Sequence, residues 1–229
     1  MKDLILLPGL LNDARLWQAQ CDDLAELARV RVIPTFTQNS IAALATVVLE
    51  QAPPTFCLAG LSMGGYVSME ILRRAPERVE RVALVSTTAR PDLPEQTERR
   101  RALMEVARAG GLARILPAVL ASMVPAFHAE GPVAELFQAM ADSVGLEGFL
   151  RQQNAIIGRV DSRPPHPPRR GPAQVVVGRD DPRPPPRDVA SAEPELAFGG
   201  DLEAGVETQR GRLAAARRAQ QRDELATGH

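Results

Sequence analysis

Four short apolar runs alternate with helical stretches across residues 1–90, and this alternation constrains the fold more than any other feature of the chain. Leu4-Ile5-Leu6-Leu7 ends at Pro8-Gly9, and Val30-Arg31-Val32-Ile33, Phe56-Cys57-Leu58-Ala59 and Val82-Ala83-Leu84-Val85 follow at intervals. Helical patterns separate them: a stretch carrying Leu16, Trp17, Leu24 and Leu27, then Ile41 to Gln51, then Met63 to Arg74. Short runs of this kind fit strands covered on both faces, and the intervening helices fit crossover connections. The expectation is an α/β domain with a mostly parallel sheet, helices on both faces and right-handed crossovers.

Residues 93–158 differ. Helical patterns run over Thr97 to Arg108, Leu112 to Met123, Val133 to Ser143 and Leu146 to Ile157, with breaks at Gly110-Gly111, Pro125 and Gly131-Pro132. No strand run interrupts them, so the sequence predicts a helical cap inserted over the strand ends, with ordinary crossover packing as the alternative. Residues 159–181 form a Pro-rich connection, RPPHPPRRGP over 163–172, followed by one good strand, Gln174-Val175-Val176-Val177-Gly178. Proline supplies no donor, so 163–172 is neither helix nor strand interior.

Residues 182–229 form an atypical tail. Strongly apolar residues are sparse there, no run of four occurs, and Glu207 to Ala226 has good helix formers with little apolar face. That reads as a solvated helix or disorder, and the last strand of the sheet is expected to be missing. Every one of the 27 basic residues except Lys2 is Arg, and Ala, Pro and Gly are abundant. GC-rich coding DNA read out of frame yields such a composition. This leaves two readings of residues 163–172 and the segment after Asp181, frame-shifted or genuine: an apolar strand followed by Gly-His in another frame of the coding DNA supports the first, and its absence from both supports the second.

Chemistry concentrates at Gly60-Leu61-Ser62-Met63-Gly64, a G-x-S-x-G pattern with a strand leading in and a helix leading out. A sharp strand-to-helix turn exposes the central side chain, and small residues on either side avoid collision across the turn. The helix N-terminus aims unpaired N–H groups at negative charge forming near Ser62 Oγ. Ser62 is thus the candidate nucleophile, against the plainer reading of a Gly-rich packing junction.

With Leu7-Pro8-Gly9-Leu10-Leu11 closing the first strand, the chain resembles the α/β-hydrolase superfamily, in particular its compact bacterial esterase-like members. The resemblance covers residues 1 to about 160 and, narrowly, 173–181. Pro8-Gly9 departs from the His-Gly usual at that loop. The resemblance implies an oxyanion hole built from the backbone N–H groups of Leu10 and Met63, where a backbone donor suffices. Val175-Val176-Val177-Gly178-Arg179-Asp180-Asp181 resembles the strand presenting the triad acid, which makes Asp181 the acid, with Asp180 its neighbour and a solvated acidic turn the plainer reading. The order Ser then acid is kept.

The triad histidine is not evident. His128 lies in the helical insertion and His166 in the Pro-rich stretch, both before Asp181, while His229 follows it but ends the chain without a preceding strand. A frayed terminus holds a base poorly. The leading expectation is a serine hydrolase acting on an ester or lactone of a small, largely apolar molecule. Leu103, Met104, Ile115, Met123, Phe127 and Phe137 would supply apolar surface, or simply pack the cap. The alternatives are a catalytically silent binding protein, and acyl transfer or C–C bond cleavage on the same scaffold.

A net charge of −1 argues against a nucleic-acid-binding basic face. No apolar run reaches the roughly 20 residues of a membrane-spanning helix. Cys21 and Cys57 have neither metal-site spacing nor a disulfide framework. The resemblance implies no cofactor and no metal, and the expected location is the cytoplasm. The oligomeric state is not written in the sequence.

Overall fold

A computed structural model describes residues 1–163 and 172–176, together with the backbone of one further strand at 202–205. The apolar runs become parallel strands: β1 (Lys2–Leu7), β2 (Ala28–Val32), β3 (Phe56–Leu61), β4 (Val79–Val85) and β5 (Ala173–Val176). The sixth, β6 (Leu202–Gly205), pairs parallel on β5. The sheet order is β2-β1-β3-β4-β5-β6. Sequence reading expected no strand in the tail. Leu-Glu-Ala-Gly carries little apolar pattern of its own, and what it offers is backbone donors and acceptors for the edge of β5.

Three helices accompany the first strands: α1 (Gln18–Leu24), α2 (Ile41–Gln51) and α3 (Met63–Arg74). Helix α2 starts where Ser40 Oγ accepts the Ala43 N–H at 3.2 Å, satisfying one of the free donors of its first turn. It stops before Pro53, which the residue ahead of a proline favours. Side chains alternate across the strands. Ile5, Leu7 and Leu58 enter the large cluster that includes Leu44, Val48, Val67 and Ile71 of α2 and α3, whereas Leu6 and Ala59 face Trp17 on the other side.

The insertion is helical, as expected: α4 (Pro94–Gly110), α5 (Leu116–Ala121) and α6 (Pro132–Ile157). The pattern expected as one helix over Leu112 to Met123 divides into a 3-10 turn, Leu112–Arg114, and the shorter α5, with Pro117 in the first turn of α5. The two helices expected from Val133 and from Leu146 run on as α6 but break at Gly145, whose φ of 67° and ψ of 173° are not helical. No helix among the described residues is long and apolar enough to cross a membrane.

Because all the strands are parallel, their C-terminal ends share one edge. The register pairs Leu7 with Gly60, Leu61 with Val85, and Val85 with Val176. Between β1 and β3 the chain order reverses direction across the sheet, and the crevice at such a switch point is where ligands of open α/β sheets bind.

Candidate active site

Among the described residues, the non-glycine positions with positive φ are Leu11 at 58°, Ser62 at 52° and Ser86 at 45°. They follow β1, β3 and β4 respectively, so all three line the C-terminal edge of the sheet. Backbone strain of this kind persists only where the surroundings impose it, and it gathers at functional sites.

At Ser62 the imposing contacts are visible. Its N–H donates to Val85 O at 2.8 Å, extending the sheet ladder one residue past β3, while its carbonyl accepts the Gly65 N–H at 2.9 Å and the Thr87 hydroxyl at 2.8 Å. The peptide is thus held on the strand side and the helix side at once, and the turn between must be sharp. A Cβ on Gly64 would lie 2.2 Å from Leu7 O, and one on Gly60 2.3 Å from Gly64 O. Strand and helix approach that closely only because both positions lack side chains. Ser62 is half-buried and caps α3 without a side-chain bond to the helix, so its hydroxyl is not spent there.

Next to this turn lies the loop after β1. A Cβ on Gly9 would come within 2.9 Å of the Leu61 side chain, which puts the loop against the residue preceding Ser62. The loop closes as a turn, with Asn12 N–H donating to Gly9 O at 3.3 Å and Leu11 at its positive-φ position. The Leu10 N–H has no acceptor among the described residues, and neither does that of Met63, the first residue of α3. Both side chains are buried, so the two amides belong to residues fixed by packing. Leu10 follows Gly9, which lies against Leu61, and Met63 follows Ser62, so the three candidate residues belong to neighbouring turns at the C-terminal edge of the sheet.

Asp181, Asp180, His166 and His229 lie outside the described residues. Val176, five residues before Asp181, ends β5, and its carbonyl accepts the Ser86 N–H at 2.8 Å. His128 sits in an exposed 3-10 turn of the insertion. No group of His, Cys, Asp and Glu suited to a metal ion occurs among the described residues. Of the residues expected to give the cap an apolar surface, Met104, Ile115 and Phe137 are buried in the core cluster, and Leu103 and Met123 pack against it. Their packing role is thus evident.

Two polar assemblies escaped sequence reading. Gln152 of α6, wholly buried, accepts the Leu11 N–H at 3.0 Å and donates to Gly9 O at 3.3 Å. Asp92, before α4, takes Arg100 Nε at 2.6 Å and Arg159 Nη1 at 2.8 Å. The Arg159 guanidinium in turn stacks 4.4 Å above the ring of Tyr66 in α3. Burial works to raise the Asp92 pKa, but the Arg100 hydrogen bond and the charges of Arg100 and Arg159 outweigh it and hold the carboxyl below its ordinary value. A lone Gln inside a helix, or an Asp in a loop, has no local signature of such partners. Only the fold supplies them.

A parallel sheet with a strained serine between its third strand and third helix, facing a loop from its first strand, is the α/β-hydrolase fold. The superposable structures are of that kind. A thermophilic esterase from Thermogutta terrifontis matches with a TM-score of 0.80 at 24% identity, covering 97% of this chain and 90% of that one. The enol-lactonase from Burkholderia xenovorans LB400 matches with a TM-score of 0.77, also at 24% identity, covering 99% of this chain and 92% of that one. At such identities the likeness establishes the fold. Among curated proteins the chain is similar to the pimeloyl-acyl-carrier-protein methyl ester esterase of Pectobacterium carotovorum, 34% identical over 94 residues. That match takes in 38% of this chain and only 37% of the relative's length. No family model matches the chain.

Proposed function

We propose that the protein is a serine hydrolase that cleaves the carboxylic ester or lactone of a small, largely apolar molecule. The observation that carries this reading is the strained backbone of Ser62, at φ 52°, at the turn packed against the Gly9 loop, with the Leu10 and Met63 amides lacking acceptors among the described residues. Ser62 Oγ bonds to the substrate carbonyl carbon and gives its proton to a base. The C=O electron pair moves onto the carbonyl oxygen, where the Leu10 and Met63 N–H groups stabilise it. Collapse of this intermediate expels the alcohol, which takes up a proton, and water then hydrolyses the acyl-serine. Asp181 is the acid that would orient the base. The esterase and lactonase activities named for the similar proteins support this class of reaction.

The base itself is unassigned, since His229 is the one histidine after Asp181. That observation favours a second reading, a silent member of the same fold that binds ligand without turnover. Treatment with a fluorophosphonate probe separates the two. Rapid labelling that Ser62→Ala abolishes supports the hydrolase, together with release of 4-nitrophenol from short-chain esters. A folded sample that takes no label supports the silent reading.

A further inference from the structure

We propose that Gln152 is the positioning residue of the oxyanion loop, setting the direction in which the Leu10 amide points. This deepens the hydrolase reading and rests on it. The geometry is specific. One carboxamide grips the loop twice, its oxygen taking the Leu11 N–H at 3.0 Å and its nitrogen donating to Gly9 O at 3.3 Å. The peptide between Gly9 and Leu10 is planar and trans, so its C=O and N–H point in opposite directions. Holding Gly9 O toward Gln152 therefore turns the Leu10 N–H away from it. With the Leu11 N–H consumed by Gln152, that of Leu10 keeps no acceptor among the described residues.

The grip is itself braced. Gln152 Nε2 also lies 3.4 Å from Thr35 Oγ1, and the buried Thr35 hydroxyl donates to Pro8 O at 3.1 Å. The carbonyls of Pro8 and Gly9 thus both have side-chain donors from outside the loop. On the next turn of contact, Arg151 Nε donates to Phe36 O at 2.9 Å, fixing α6 against the loop after β2. Pro8-Gly9-Leu10 contains no side chain able to do this work, and Leu11 is held at an unfavourable φ of 58°. A loop with strained backbone, in which no side chain bonds to the Leu11 N–H or the Gly9 carbonyl from within, is held in one orientation by an external clamp. Gln152 supplies it from the inserted helix, which makes the cap a part of the oxyanion machinery as well as a cover.

The test compares Gln152→Met with Gln153→Met in the full chain, using 4-nitrophenyl acetate turnover and fluorophosphonate labelling. Gln153 is equally buried and its oxygen takes Arg100 Nη1 at 3.1 Å, so its replacement disturbs the same helix without touching the loop. Loss or misdirection of one oxyanion donor lowers the chemical step about 100-fold. The expected result is a fall of that size in kcat for Gln152→Met with KM changed less than about threefold, because ground-state binding does not use the donor. Gln153→Met should keep kcat within about threefold of wild type.

An unchanged kcat in Gln152→Met, or an equal fall in both variants, overturns the positioning role while leaving the hydrolase reading intact. A wild-type chain that neither turns over ester nor takes the probe overturns the hydrolase reading, and this role with it. Should Gln152→Met not fold, amide hydrogen exchange in the wild type decides. The Leu11 amide must exchange at least about tenfold more slowly than that of Leu10, and equal rates overturn the clamp.

Discussion

Ser62 sits in a backbone conformation that ordinarily costs about 1–3 kcal/mol for a residue with a Cβ. The Val85 carbonyl, the Gly65 N–H and the Thr87 hydroxyl impose it together. Strain of this origin yields a separable pair of outcomes. Ser62→Ala should remove ester turnover by at least about 10⁴-fold and leave the melting temperature unchanged, since the alanine Cβ suffers the same crowding. Ser62→Gly should be equally inactive yet melt at the same temperature or about 2–4 °C higher, because relief of strain offsets the greater freedom of glycine in the unfolded chain. Calorimetry on both variants checks this. The serine was legible in the sequence because its neighbours are local: two glycines at fixed spacing and a strand-to-helix change. Gln152 was not, since its partners lie more than 100 residues away in the chain, with separations of 141 and 143 for the two loop contacts and 117 for Thr35.

At the scale of elements, the crossing of α3 over β1 is set by the absence of a single methyl group. Gly64→Ala would drive a Cβ to 2.2 Å from the Leu7 carbonyl oxygen and 2.7 Å from its carbon. Both are main-chain atoms of a buried strand, so no side-chain rotation relieves the clash. Destabilisation of at least about 3 kcal/mol should follow, read as a lower urea midpoint or failure to accumulate folded protein. The boundaries of α2 and α3 match the sequence reading because local signals define them: Ser40 and its bond to Ala43 N for one, the G-x-S-x-G junction for the other. The segment Leu112 to Met123 reads as one helix because its apolar spacing is helical. Yet the chain reaches α5 through a separate 3-10 turn, and Pro117 lies in the first turn of α5. Strand β6 is the reverse case, since a free strand edge pairs with backbone whatever side chains that backbone carries.

Across the whole molecule, the cap is fastened to the sheet domain by charge as well as by apolar packing. Asp92 and Arg159 have side chains only 3% and 6% exposed, and Arg100 closes the cluster from α4. Breaking a buried pair leaves an uncompensated charge, so Asp92→Asn should cost about 3–5 kcal/mol at neutral pH. The pH dependence follows from the depressed pKa of Asp92. Its contribution is complete above the unfolded-state value of about 3.9 and is lost as pH falls below that toward the folded value. The gap between wild type and Asp92→Asn in denaturation midpoint should therefore be constant from neutral pH to about 5 and narrow below pH 4. A gap that instead widens on acidification would contradict the sign. None of this cluster was visible in the sequence, where Asp92, Arg100 and Arg159 belong to three different patterns.

The break at Gly145 divides α6 into two segments with different attachments. Beyond it, Gln152 and Arg151 grip the loops after β1 and β2, while before it Ala139 O accepts a bond from Arg15 Nη2 at 2.8 Å. A Cβ at Gly145 would meet nothing within 4 Å, so only the torsion angle reserves the place for glycine. The joint is therefore a natural graft point. Exposed positions of the segment before the joint, such as Val133 and Leu136, could be exchanged without disturbing Gln152 and Arg151, whereas Phe137, Met140, Ala141 and Val144 of the same segment are buried and must keep their apolar character.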